Sequence, residues 1–185
     1  MNHGAVLITG SVLLAACSSK PEVDMKNASV EEVAAEVGKA GGTEEFIRAG
    51  KWQTKVTMED ISIPGMPVRA QEQMKSVFSK QQNVTVDYCV SPEEARRPGG
   101  KFFTGKESKD CRYDRFTMSG GKVDAVMRCQ GQGSGSMTMT MTGTYTPDSS
   151  TTRSEMVISG GRDGNMTMKA VAEAHRVGEC DDKKG

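Results

Sequence analysis

One stretch of this chain alternates so regularly that it is compatible with a single kind of element. Between residues 136 and 145, Met137, Met139 and Met141 occupy every second position, and threonines fill the positions between them. Successive side chains of a β-strand point to opposite faces, so the pattern is typical of a strand with one buried face and one solvated face. The threonines suit the solvated face because β-branched residues are favoured in strands.

Shorter alternating runs predict further strands on both sides of this one. They cover residues 52–58, 84–90, 111–118, 122–130, 152–159 and 165–176. Ser119-Gly120-Gly121 separates two of the runs and is a strong hairpin signal. Six or more consecutive antiparallel strands indicate an all-β fold: an antiparallel meander that forms a curled sheet or a small barrel.

Three segments do not follow the strand pattern. Residues 70–80 carry apolar side chains at helical spacing and predict a short helix or an irregular strand. Residues 91–95 predict a one-turn helix, with Ser91 as its cap and Pro92 at its first position. The glycine-rich residues 131–135 predict a flexible connection between strands, because no helix follows that would give them a phosphate site.

The N-terminus predicts export and lipidation. A short apolar run from Val6 leads to Leu14-Ala15-Ala16-Cys17, which has the pattern of a bacterial lipobox. The run is too short to span a membrane, for which about 20 residues are needed. Residues 1–16 are therefore interpreted as a lipoprotein signal peptide and Cys17 as the lipidated residue. Ser18 in the next position favours the outer membrane of a Gram-negative bacterium, with the protein facing the periplasm.

Residues 17–49 are predicted to be a lipidated tether, followed by a β domain at 50–180 and a polar tail at 181–185. Within the tether, Ser29 and Glu32 form a capping-box pattern, and Val30, Val33 and Val37 then share one helical face. The face predicts either a marginal helix in a linker or a helix that binds a partner. We favour the linker, because short isolated helices are unstable in water.

Four cysteines remain after Cys17, and an even number in an oxidising compartment predicts two disulfides. A zinc site is disfavoured because the spacings are wide and no CxxC pair occurs. Three connectivities are possible. We favour Cys89–Cys111, which closes a local loop, with Cys129–Cys180, which ties the last strand to the middle of the sheet.

The ordered cysteines and the residues around them resemble a bacterial protein family, DUF3617. The matching features are Gly50-Lys51-Trp52, residues 63–67, residues 88–94, Cys111, residues 127–129, the methionine-threonine strand and residues 176–180. The chain differs from the family by extra residues between Met66 and Val84. The resemblance implies secreted or lipid-anchored proteins, and it implies no established reaction and no catalytic residues.

Thirteen methionines in an exported protein raise the possibility of a Cu(I) site, because thioethers are soft ligands. The candidate ligands are Met137, Met139, Met141, Met166 and Met168, with Trp52 and His175 available to complete a site. The competing interpretation is core packing, since methionine is an adaptable filler and the chain has no leucine after residue 14. We favour core packing, and expect no resident metal or cofactor.

Enzymatic function is disfavoured. After Cys17 the chain has a single histidine, His175, with no nucleophile signalled beside it, and no recognised catalytic or nucleotide-binding motif occurs. Balanced charge, with 24 basic and 24 acidic residues, argues against nucleic acid as a partner. We therefore expect a non-enzymatic binding or structural domain on a lipid anchor, with an envelope protein or a small apolar ligand as its partner. A ligand would require an open apolar cavity inside the curled sheet.

Overall fold

The computed structural model describes residues 22–41, 46–80, 83–98, 109–130, 135–160 and 165–180. The predicted signal peptide, Cys17 and the predicted tail lie outside these residues, as do residues 131–134 of the glycine-rich connection. The elements in chain order are β1 Val23–Ser29, α1 Val30–Gly41, β2 Gly50–Ser62, α2 Val68–Lys80, β3 Asn83–Val90, α3 Pro92–Arg96, β4 Cys111–Ser119, β5 Lys122–Gln130, β6 Ser136–Thr146, β7 Ser149–Ser159 and β8 Met166–Gly178.

All eight strands belong to one antiparallel sheet with the order β1-β4-β5-β6-β7-β8-β2-β3. The predicted all-β class is confirmed, and of the two predicted forms the sheet takes the curled, unclosed one. Five consecutive strands, β4 to β8, form the meander, while β1 and β3 are the two edges. Among the described residues, no helix has the length and apolar character needed to cross a membrane.

The two segments on either side of β3 that were predicted outside the strand pattern are both helical. Residues 70–80 are helical as part of α2, which resolves the ambiguity between helix and strand. At the start of α3, the backbone N–H of Glu94 donates to the Ser91 hydroxyl at 3.1 Å, and the Ser91 N–H donates to the Glu94 carboxylate at 2.9 Å. This reciprocal capping box satisfies two backbone donors that the short helix would otherwise leave open.

The N-terminal segment differs from the predicted linker. The helix that the capping box predicts is present, and the Ser29 N–H donates to the Glu32 carboxylate at 2.7 Å. That hydrogen bond holds the pKa of Glu32 below its usual value. However, Val30, Val33 and Val37 are fully buried against the sheet, so α1 is part of the folded domain. Tertiary packing on β1 and β4 stabilises a helix that would be marginal alone.

Strand β1 was not predicted, and its geometry explains why. It pairs with β4, and Val23, Met25 and Ala28 lie opposite Met118, Phe116 and Tyr113. The spacing between Met25 and Ala28 is three residues because Asn27 adopts φ 49° and interrupts the alternation. Arg112 on β4 bonds both the side chain and the backbone carbonyl of Asn27. An alternating pattern is therefore absent from the sequence although the strand is present.

The sheet has an apolar inner face and a polar outer face. The larger core lies where α1 packs on β1 and β4, extends onto β5, and contains Tyr113, Phe116 and Met118. Burial raises the pKa of Tyr113 to about 12, and its hydroxyl has no hydrogen-bond partner among the described residues. A smaller core surrounds Trp52 of β2, toward the opposite end of the strand order. The outer face carries ion pairs such as Lys169–Glu155, at 3.6 Å.

The four cysteines form two disulfides, as predicted, but the favoured pairing of Cys89 with Cys111 and of Cys129 with Cys180 is wrong. The bonds join Cys111 to Cys129 and Cys89 to Cys180. Cys111 and Cys129 are direct partners in the β4–β5 hairpin, with Cα atoms 4.0 Å apart. The other bond spans the start of β2, because Lys51 lies between Cys89 on β3 and Gly178 on β8. Hairpin register decides the first pair, and the position of β2 between β8 and β3 decides the second.

Candidate functional site

The inner face becomes hollow where two neighbouring strands carry small side chains. Ser150 and Thr152 of β7 lie opposite Ala174 and Ala172 of β8, so the inner-face side chains of both strands are short here. Across the curl, β4 presents Phe116 and Met118 toward the same space. The sheet curls so that these strands face β4, but the short side chains of β7 and β8 do not fill the space between them. A gap therefore remains between the two halves of the sheet.

The hollow has a volume of about 250 Å3. Ser150, Thr152, Ala172 and Ala174 line one side, Phe116 and Met118 line another, and Tyr88 and Tyr145 contribute their rings. None of the described residues that line it is charged. An apolar cavity of about 150 Å3 is enough to accept benzene, so the hollow is large enough for part of an apolar ligand. Ligand pockets for whole drug-sized molecules begin at about 300 Å3.

The segment before β2 holds one end of the hollow in place. Phe46 lines the hollow and meets Tyr145 edge to face, with ring centroids 5.3 Å apart. Arg48, two residues later, donates to both carboxylate oxygens of Asp148 at 2.8 Å, and its N–H donates to the Pro147 carbonyl at 2.8 Å. The Arg48 carbonyl in turn accepts from the Trp52 indole N–H at 2.9 Å. Phe46 is therefore positioned by a segment that is held through two hydrogen bonds of the Arg48 backbone and one ion pair of the Arg48 side chain.

Apolar side chains of the edge strand continue this surface toward solvent. Val84, Val86 and Tyr88 alternate along β3 and are 53%, 47% and 38% exposed. Their register partners on β2 are Val56, Thr54 and the buried Trp52, so they share the inner face. Tyr88 also lines the hollow. An alternating run of exposed apolar side chains beside an apolar hollow is the kind of continuous patch that marks an interaction surface.

Burial separates the five candidate ligands from two methionines of the core. Met118 and Met127 are fully buried, so for them the core-packing interpretation is correct. Met137, Met139 and Met141 are half-buried and pack against the edge of the larger core. Met166 and Met168 are half-buried as well, and they lie on β8, two strands away from β6. The five predicted ligands therefore share one face but are not all adjacent.

Trp52 and His175 cannot complete one site with these methionines. Trp52 lies opposite Arg176 on β8, whereas His175 lies opposite Gln53, the next residue along β2. Adjacent residues of a strand point to opposite faces, so His175 faces outward while Trp52 is buried inward. Among the described residues, no three His, Cys, Asp or Glu side chains form a group able to hold a metal ion.

Sequence reasoning predicted the possibility of a cavity but missed the residues that create it. The signal was a run of small inner-face residues, with Ser150, Thr152 and Ser154 on β7 and Ala170, Ala172 and Ala174 on β8. Small residues of this kind do not form a catalytic or metal-binding motif, so the sequence pattern does not single them out. Only the strand register brings the two runs side by side.

A second depression, of about 620 Å3, lies between α1 and the end of α3. Glu31, Lys39, Arg96 and Arg97 contribute to its lining, so charges of both signs surround it. This mixture identifies no ligand class. The hollow of the inner face, with its uncharged lining, is the better candidate for a functional site.

Comparison with known proteins places the chain in context. The model of the family DUF3617, described as a protein of unknown function, matches residues 47–180. The match covers β2 to β8, including both disulfides and every strand that borders the hollow. Neither the curated proteins nor the solved structures contain a match to the chain.

Proposed function

The chain belongs to the DUF3617 family, and because that family is described only as a protein of unknown function, we propose a function from the geometry of the inner face. We propose that the protein is a non-enzymatic binding domain of the cell envelope. It holds one hydrocarbon chain of an apolar or amphipathic ligand in the hollow. The observation that carries the proposal is the uncharged hollow of about 250 Å3.

The chemistry of the surface supports a hydrocarbon chain. The hollow is too small for a bulky ligand, but it continues into the exposed apolar side chains of Val84 and Val86 on β3. A flexible chain can follow this strip, whereas a rigid ring system of the same area would not fit. A charged head group would find no partner among the residues lining the hollow and would stay in solvent, where its hydration is retained.

Methionine contributes adaptability to the same surface. Met118 and Met141 both line the hollow, and methionine side chains are unbranched and polarisable. Surfaces rich in methionine accept ligands of varied shape because the side chains can change rotamer at small cost. The proposed specificity is accordingly for chain-like apolar character rather than for one molecule.

The N-terminal lipobox supports the proposed location. A diacylglycerol on Cys17 would hold the domain at the surface of the outer membrane, where lipid ligands are abundant. Mass spectrometry of the protein extracted from membranes tests this part. A chain that begins at a diacylated Cys17 supports the proposal. A chain that keeps residues 1–16 and an unmodified Cys17 contradicts it.

Ligand binding is tested by filling the hollow. We expect Ala172→Phe to weaken binding of a dansyl-labelled fatty acid by about tenfold or more, corresponding to a loss of at least about 1.4 kcal/mol of binding free energy. The matched control is Val171→Phe, which adds the same ring on the outer face of the same strand. Binding is measured by fluorescence titration and by displacement with unlabelled fatty acid.

Two results would overturn this proposal. One is the absence of saturable binding to the unmodified protein. The other is equal affinity in both variants, because a ligand inside the hollow cannot share it with a phenyl ring. Far-ultraviolet circular dichroism and the emission of the single tryptophan, Trp52, verify that each variant is folded.

A further inference from the structure

Three methionines from three consecutive strands lie in one row of the sheet. Met139 of β6 is the register partner of Met156 of β7, and Met156 is the register partner of Met168 of β8. Directly opposed residues on antiparallel strands have Cβ atoms about 4.5–5.5 Å apart on the same face. The thioether of a methionine reaches several bonds beyond Cβ, so three sulfur atoms can converge above the middle strand.

Met156 is the central member of the row, and the sequence pattern gave no reason to single it out. It directly follows a run of polar residues, Thr151 to Glu155, and is not part of a methionine-rich motif. The register alone places it between the methionines of β6 and β8. The next row contains Met137 and Met166 on either side of Ile158, which provides two further thioethers nearby.

The row is accessible and electrically neutral. Met139, Met156 and Met168 are half-buried, in contrast to the core residues Met118 and Met127. The inner-face positions of β6, β7 and β8 around them carry methionine, isoleucine, alanine, serine, threonine, glycine and tyrosine, and none of them is charged. Hard cations such as Mg²⁺ and Ca²⁺ require oxygen ligands, which this row does not supply. Thioether sulfur instead suits soft monovalent cations.

We propose that Met139, Met156 and Met168 form a trithioether site for Cu(I), with Ag(I) as its chemical analogue. The site is distinct from the hollow, which lies farther along the same strands toward Tyr145 and Ala174. Its ligands are neutral, so a monovalent ion is bound without loss of a proton, and affinity should change little between pH 5 and pH 8. The four disulfide-bonded cysteines contribute no thiolate.

The test uses Cu(I) and Ag(I) on the purified, oxidised protein carrying Cys17→Ala, which removes the one cysteine outside the two disulfides. Ascorbate keeps copper reduced, and bicinchoninate is the competing chelator. We expect one metal ion per chain. We expect each of Met139→Leu, Met156→Leu and Met168→Leu to weaken binding by at least about tenfold, since even groups that only support a metal ligand contribute about 10–100-fold to metal affinity.

The control variant is Met74→Leu on α2, which should bind as the parent does. Leucine preserves approximate volume, so the folded state is expected to persist, and the urea midpoint of each variant verifies this. X-ray absorption should show sulfur as the only neighbour of the bound ion. Absence of binding, undiminished binding by Met156→Leu, or nitrogen neighbours from histidine would overturn the proposal. These outcomes are independent of fatty-acid binding, which is measured without metal.

Discussion

Replacing Cys89 and Cys180 together with serine is expected to lower the free energy of unfolding by about 4–5 kcal/mol. The chain-entropy model predicts this size because the bond joins residues 91 positions apart. The Cys111–Cys129 bond joins residues only 18 positions apart, so its removal is expected to cost about 3 kcal/mol. Against a typical stability of about 5–15 kcal/mol, either loss is large.

The topology gives a second reason to expect a larger loss of stability from the Cys89–Cys180 bond than from the Cys111–Cys129 bond. β3 is an edge strand that pairs only with β2, so the Cys89–Cys180 bond is its covalent link to the far side of that strand. Without the bond, β3 can separate from the sheet and take Val84, Val86 and Tyr88 with it. Cys111 and Cys129 are register partners in the β4–β5 hairpin, so we expect them to stay neighbours when reduced.

Urea denaturation of the two double-serine variants measures both values. Peptide mapping of the unreduced protein checks the connectivity itself. Equal losses, or a larger loss for the Cys111 and Cys129 pair, would contradict the stability argument. A peptide containing Cys89 linked to Cys111 would contradict the described pairing.

Val33→Asp is expected to destabilise the domain by about 3–5 kcal/mol, the range for an uncompensated buried charge. Val33 is completely buried between α1 and the sheet, beside Val30 and Val37. An aspartate there must remain charged without a partner, bind a proton, or expel α1 from the core. If residues 23–41 were a linker, the same substitution would leave stability unchanged.

Two controls accompany this prediction. Ala35→Asp places the same charge on the exposed face of α1 and should change stability little. Tyr113→Phe removes a hydroxyl that has no described hydrogen-bond partner, so it should be neutral or slightly stabilising. Thermal and urea unfolding measure all three variants. A Val33→Asp protein as stable as Ala35→Asp would show that α1 does not contribute to the fold.

The strands from β2 to β8 were predictable because each has a continuous pattern. Strict alternation in β6 and the glycine turn between β4 and β5 fix the local structure without reference to the rest of the chain. The N-terminal strand was not predictable in this way. Asn27 breaks its alternation, and the pairing with β4 depends on residues more than 80 positions away.

The candidate site was less predictable than the fold, for the same physical reason. The disulfide pairing depends on β2 lying between β8 and β3, which no local pattern specifies. The hollow depends on Thr152 and Ala172 being register partners, and the methionine row depends on Met156 lying beside Met139. Each of these relations joins residues of different strands, so it becomes visible only when the order of the strands is known.

The most direct test of ligand binding in the hollow uses the single tryptophan, Trp52, as a reporter. Trp52 is buried on the inner face, opposite Tyr88, which lines the hollow. A fatty acid brominated on its chain quenches tryptophan emission only at short range. We expect saturable quenching in the unmodified protein and in Val171→Phe, and in Ala172→Phe a half-saturating ligand concentration at least about tenfold higher. Quenching that saturates at the same concentration in Ala172→Phe as in the unmodified protein, or that never saturates, would contradict ligand binding in the hollow.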